Sequence, residues 1–208
     1  MKKQLYITVI LTFVGALCLT SCSPILSGLY GIKEIKTIDE NTIYRYSKKF
    51  NIPLEDSYEM DSSYLSFINS FDTVSQKALR RNHSQPLQAR YYDKAGQLQS
   101  FHINCHAGGF PNLMWNRNNV MSTFIPGQQT PVDSIMPLDR QLKYLNPLSQ
   151  TKKTNIDKYD YVVIVYWNRF MGRQSKRLIR FVQDNSKLAS DQNVKILYVN
   201  NDNIFAGQ

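Results

Sequence analysis

The chain has few of the residues that most often carry chemistry. Its 208 residues include three Cys, three His and two Trp. Three Cys cannot build a disulfide scaffold. Three His, two of them four positions apart at His102 and His106, support no Ser-His-acid arrangement that sequence alone could argue. There is no internal repeat and no low-complexity tract, which excludes solenoids and linker-like chains. The main apolar run, Leu5 to Leu17, falls short of the roughly 20 residues that cross a bilayer. Acidic residues are also scarce, with Asp+Glu 16 against Lys+Arg 25 and a net charge of +9. What remains, 42% hydrophobic and 20% charged residues with 9 Gly and 8 Pro, excludes disordered, collagen-like and polytopic membrane chains. The length suits one domain with a real core.

The N-terminus carries an address. Met1-Lys2-Lys3 is positive, the apolar run follows, and Leu19-Thr20-Ser21-Cys22 closes it. A basic segment, an apolar segment and small residues before a cleavage point make an export signal. The tetrad resembles the bacterial lipobox, which implies a lipoprotein signal peptide over 1–21 and acyl chains of the palmitate class on the sulfur of Cys22. Removal of Lys2 and Lys3 would leave +7, and loss of Cys18 would leave Cys105 as the one free thiol. Ser23-Pro24-Ile25-Leu26-Ser27 lacks acidic residues that could redirect such a protein. The expected location is therefore the cell envelope, anchored by lipid to the periplasmic face of the outer membrane. The membrane is then a partner through the anchor, and nucleic acid is not expected as one despite the basic charge.

Residues 22–36 read as a tether and 37–208 as a single α/β domain. The Thr37-Ile38-Asp39-Glu40 spacing predicts a capping box and a helix to about Phe50, stopped by Pro53. Tyr64, Leu65, Ile68, Phe71 and Val74 recur at helical spacing, predicting one helix from Asp61 to about Leu79. Leu87–Tyr92 and Gln97–Cys105 flank Asp93-Lys94-Ala95-Gly96, a hairpin signal. Residues 107–137 read as an irregular loop holding Trp115, and Asp139–Leu145 as a short helix. Tyr161–Tyr166 is a continuous apolar run, as in a strand buried on both faces. A helix over 173–185 and a strand over 194–199 complete a βαβ unit with parallel strands.

Directly after the first strand of that unit stands Trp167-Asn168-Arg169-Phe170-Met171-Gly172-Arg173-Gln174. This resembles the active-site segment of the thioredoxin family, a buried strand followed by Trp, an aromatic, and two Cys either side of Gly, leading into a helix. Trp167, Phe170 and Gly172 match; Met171 and Gln174 stand where the family has its attacking and resolving cysteines. A thioether and an amide can form no mixed disulfide. The resemblance implies a thioredoxin-like α/β sheet without oxidoreductase activity. The family's proline before a hairpin finds a counterpart in Pro86, upstream of the βαβ unit, so the order would be circularly permuted. Hairpin and βαβ strands in separate sheets would exclude that.

Other features carry less specific signals. On a strand His102 and His106 share a face but lie roughly 13 Å apart, and Cys105 faces the opposite way, so no metal site and no cofactor are expected. Gly108-Gly109 lacks the Lys-Ser/Thr of a phosphate loop. Arg173, Lys176, Arg177 and Arg180 share one helix face, which is either a solvated surface or a dock for anionic lipid, glycan or an acidic envelope protein. Phe110 and Trp115 either line a cleft or plug their loop onto the core. The expectation is a lipid-anchored envelope protein whose domain binds rather than catalyses, the contact surfaces being the basic face and the Trp115 loop. The alternatives are a redox accessory protein using Cys105 and a purely structural or immunity-type component.

Overall fold

A computed structural model describes residues 31–104, 114–148 and 155–207. In chain order the elements are α1 (Glu40–Lys49), β1 (Ser57–Met60), α2 (Ser63–Asn69), α3 (Lys77–His83), β2 (Gln88–Asp93), β3 (Leu98–Ile103), α4 (Leu138–Leu142), β4 (Leu145–Pro147), β5 (Tyr161–Trp167), α5 (Gly172–Ser186), β6 (Val194–Asn200) and α6 (Asp202–Ala206). The strands form one mixed sheet in the order β3-β2-β5-β6-β1-β4. β5, β6 and β1 run parallel, while β2 is antiparallel to β5, β3 to β2 and β4 to β1. No described helix is long and apolar enough to cross a membrane.

Strand β5 sits at the centre because nearly every side chain on it is apolar. Val162, Ile164 and Tyr166 pack into one core layer with α2, Met136, Leu138 and Ile204, while Val163, Val165 and Trp167 pack into the other with Ile43, Phe50, Leu178, Ile179 and Val182. Helices thus cover both faces of the sheet, the arrangement that a strand without a polar face requires. The βαβ reading holds: α5 joins β5 to β6, with Tyr161 opposite Val194 and Trp167 opposite Asn200. The predicted hairpin is β2–β3, and Gly96 takes φ 75° at its corner, a backbone state that glycine adopts without strain.

Several local expectations are corrected. The first helix starts at Glu40, not Thr37, because Asp39 is the cap: its carboxylate accepts from Thr42 N at 2.8 Å. Asn51 ends it with φ 57°, Asn51 N reaching Lys48 O and Ile52 N reaching Ser47 O, before Pro53 is met. The single helix predicted over 61–79 is two short ones, α2 and α3. Asp72 breaks it by accepting from the backbone N–H groups of Val74 and Ser75, and Val74 is 85% exposed rather than buried. The helix predicted over 139–145 is shorter, ending at Leu142, and the chain then turns into β4. Strands β1 and β4 were missed because four and three residues give too short a pattern to read.

A guanidinium is buried in the core. Arg90, on β2, has no solvent exposure. Its guanidinium donates to Gln88 Oε1, to Tyr64 OH at 2.8 Å, to His83 Nδ1 at 2.9 Å and to Gln141 Oε1. It lies 5.0 Å from the ring centroids of both Phe101 and Tyr166. Burial works against its charge, and the oxygens of Tyr166, Tyr64 and Tyr92 outweigh it, so Arg90 stays charged. Among the described residues no carboxylate pairs with the guanidinium; Asp133 acts through His83, whose Nε2 donates to Asp133 Oδ2 at 2.8 Å. Burial, reinforced by the Arg90 charge, depresses the His83 pKa and keeps the ring neutral.

Two predictions follow from this core. Arg90→Ala strands four acceptors in a dry layer and is expected to cost about 3–5 kcal/mol in denaturant unfolding, with Arg90→Met costing less because it restores the volume. A loss under about 1 kcal/mol for the alanine variant would mean the network carries little. The second concerns pH. Burial lowers the His102 pKa to about 4, from 6.5 in a free chain, and His83 is lowered too. The unfolded chain therefore binds more protons, so stability is complete above about pH 6.5 and falls as pH drops towards 4. The His102 share approaches about 3 kcal/mol at the lower limit, and His102→Gln should flatten the profile between pH 7 and 5.

Candidate functional site

The carboxyl ends of parallel strands are where loops of α/β sheets gather functional side chains. Here β5 and β6 end side by side at Trp167 and Asn200, and the segment singled out in the sequence follows the first of them. Trp167 and Phe170 are buried, Met171 and Gly172 are partly exposed, and Gln174 is buried. Phe50 packs edge-on against Trp167 at 5.5 Å, and Phe205 against Phe170 at 5.9 Å. Met171 is the residue before α5, with no side-chain cap of its own.

The organising residue is Asn168, which sequence reasoning passed over. Its Oδ1 accepts from Met171 N at 2.8 Å, tightening the entry to α5. Its Nδ2 donates to Pro86 O at 3.2 Å and to Asn201 Oδ1 at 3.1 Å. Asn201 Nδ2 also reaches Pro86 O, at 2.8 Å. Ser175 Oγ donates to Asn168 O and accepts from Asn168 N, at 2.8 and 3.1 Å. One amide thus ties the start of α5, the end of β6 and the residue leading into the β2–β3 hairpin. The one cis peptide among the described residues is Phe124–Ile125, so Pro86 is preceded by a trans bond.

A second polar group closes the same end of the sheet. Asp202 is buried and accepts from Arg169 N at 2.6 Å and Asn200 Nδ2 at 2.9 Å. Burial raises its pKa, while those two donors oppose the shift. The Arg169 guanidinium donates to Glu34 O, Lys33 N donates to Phe170 O at 2.8 Å, and Ile38 N donates to Asn203 Oδ1 at 2.8 Å. Residues 33–38 therefore lie across this end of the sheet.

The basic face is where the sequence placed it. Arg173, Lys176, Arg177 and Arg180 are all exposed on α5 and line a shallow hollow of about 460 Å³ with Gln174. The opposite side of α5 buries Leu178, Ile179 and Val182. The hollow continues into a second, of about 330 Å³, where Lys33 and Lys49 join Lys176 around Tyr46 and Phe50. Lys33 Nζ donates to Tyr46 OH at 3.0 Å, and this bond lowers the Tyr46 pKa. Lys33 and Lys49 also stand 5.4 and 5.8 Å from the Tyr46 ring centroid. These two lysines escaped sequence reading because α1 and residues 31–36 are distant from α5 in the chain.

Trp115 itself does not offer a contact surface. Trp115 has no exposure and packs with Leu87, Tyr91 and Trp167, and Asn185 fastens the loop by donating to Met121 O and Thr123 O at 2.9 and 2.8 Å. Trp115 is a plug, not a cleft wall. His102 is buried, with Ser100 Oγ 3.2 Å from its Nε2. Cys22, Cys105, His106, Gly108, Gly109 and Phe110 lie outside the described residues. Among the described residues no three His, Cys, Asp or Glu gather as a metal site would require.

The Asn168 hub gives a prediction. Asn168→Ala leaves Met171 N and Asn201 Oδ1 without partners in a buried setting, and is expected to lower stability by about 2 kcal/mol. Arg180→Ala, on the solvated face, should change it by no more than about 0.5 kcal/mol. Equal effects in thermal unfolding would contradict the assignment of Asn168 as the hub.

Compared with known proteins, the chain matches no family model, no curated protein and no solved structure.

Proposed function

We propose that this is a lipid-anchored protein of the bacterial cell envelope, held by Cys22 on the periplasmic face of the outer membrane. Its thioredoxin-like domain acts by binding and not by catalysis. The observation that carries the domain reading is one of placement. The β2–β3 hairpin lies in the same sheet as the βαβ unit, antiparallel to β5, and Pro86 at its entry meets the Trp167–Asn168 segment through two amide bonds. That is the relation the thioredoxin resemblance implies for its proline and active-site segment, with the hairpin placed first in the chain. The trans bond before Pro86 departs from the family's cis proline.

The absence of catalysis rests on Met171 and Gln174. The first is at the start of α5, where a thiol would be activated, and the second is turned into the protein. Neither side chain can act as a thiolate nucleophile. The binding surface that fits the charge is the exposed face of Arg173, Lys176, Arg177 and Arg180, and its partners would be anionic lipid, glycan or an envelope protein with an acidic surface.

Two measurements test the two halves of this reading. Radiolabelled palmitate should enter the wild-type protein, and Cys22→Ala should abolish labelling and shift the protein out of the membrane fraction. Unlabelled wild-type protein would refute the anchor. For the domain, a Met171→Cys, Gln174→Cys variant should show a thiol at 171 that is alkylated with a pKa below the ordinary value of about 8.5, as thiols at helix N-termini do. It should also close a disulfide with 174. A thiol at 171 titrating at or above that value would refute the thioredoxin-like geometry.

A further inference from the structure

Residues 31–36 form an unusual strip beside the basic face. Gly31-Ile32-Lys33-Glu34-Ile35-Lys36 leaves Ile32 41% and Ile35 48% exposed among Lys33, Lys36 and one carboxylate, Glu34, whose backbone carbonyl is held by Arg169. The strip is not free to drift, because Lys33 N is bonded to Phe170 O and the Arg169 guanidinium to Glu34 O. Lys49 of α1 and Lys176 of α5 flank it around the hollow that Ile32, Tyr46 and Phe50 line. Arg180 stands one turn further along α5. Aliphatic side chains held in water among cations are what an interfacial surface presents to anionic lipid: the apolar groups enter the headgroup boundary and the cations meet phosphate.

The position of this strip relative to Cys22 decides which occupant it takes. Cys22 precedes Gly31 by nine residues, a reach of at most about 30 Å when fully extended. A surface leashed this closely to a bilayer meets headgroups at a very high effective concentration, whereas a protein partner must be brought to it. We propose that Lys33, Lys49, Lys176, Arg180, Ile32 and Ile35 form a membrane-docking surface for anionic phospholipid headgroups, so that the domain lies on the membrane that holds its acyl chains. The proposal rests on the lipid-anchor reading above. It fixes an orientation: the ends of β5 and β6 at Trp167 and Asn200 face the bilayer. The hairpin corner at Asp93–Gly96, beside the start of β5, faces away.

The test uses the full protein purified from membranes, with mass spectrometry of the Cys22 peptide reporting acylation. The protein is placed on phosphatidylcholine vesicles with and without phosphatidylglycerol, and amide hydrogen exchange is followed. Exchange over residues 31–38 and 172–180 should slow on the anionic vesicles only. The slowing should disappear in about 1 M salt, where the Debye length is about 3 Å. Each single neutralisation, such as Lys176→Gln or Lys49→Gln, should weaken the membrane-bound state about fivefold. Lys33→Glu, Lys49→Glu, Lys176→Glu and Arg180→Glu together should abolish it with the thermal transition unchanged. Acylated protein that exchanges alike on both vesicle types overturns the docking surface and leaves the anchor standing. Unacylated protein overturns the anchor; flotation of that same protein with phosphatidylglycerol vesicles then reads the surface alone, and no flotation overturns it as well.

Discussion

Strand β5 has no polar face, and the architecture follows from that. Seven residues from Tyr161 to Trp167 would leave a large apolar surface in water on either side of a bare sheet. The chain resolves this by placing β2 and β6 at its edges and helices over both faces. α1 and α5 cover the side of Val163, Val165 and Trp167; α2 and the segment around Met136 and Leu138 cover the other. Because both layers are dry, each polar group that enters them must bring its own partners. The Arg90 and Asn168 networks are the two largest answers to that requirement.

The Arg90 network is the more demanding of the two. A guanidinium without a contacting carboxylate is held by amide, phenol and imidazole oxygens and nitrogens drawn from β2, α2, α3 and α4. Such an acceptor set binds a charge only if every member is in place, so the network penalises any packing in which α2 or α4 is shifted. The rings of Phe101 and Tyr166, each with its centroid 5.0 Å from the guanidinium carbon, add cation–π contacts. A single buried cation thereby fixes the register of short helices that have little stability of their own.

What could be read from the sequence, and what could not, divides on range. The βαβ unit was legible because β5 is an apolar run and α5 an amphipathic helix of 15 residues, both local patterns. The hairpin was legible from Gly96 and the residues around it. The helix ends were misplaced where a single polar side chain overruled periodicity, as Asp39 did at α1 and Asp72 after α2. Strands β1 and β4 were invisible because they are strands only by virtue of pairing with β6 and with each other. The basic surface was half legible: its α5 side follows from helical spacing, whereas Lys33 and Lys49 join it only through the tertiary structure. The hub role of Asn168 was not legible: its bond to Met171 N is local, but Pro86 and Asn201, which make it a hub, are more than thirty residues away in either direction.

The chemistry of the sheet's carboxyl end bears on how such a protein can work. Asn168, Asn200, Asn201, Asp202 and Ser175 are turned towards one another or towards backbone, and residues 33–38 cross over them. These bonds hold the elements together, and Asp202 Oδ1 is the one carboxylate oxygen of the cluster left buried without a hydrogen-bond partner among the described residues. Met171, the side chain best placed to be reactive, is a thioether. What the outside of α5 and the strip before α1 present to solvent is positive charge from Arg173, Lys176, Arg177, Arg180 and Lys33 beside the exposed side chains of Ile32 and Ile35.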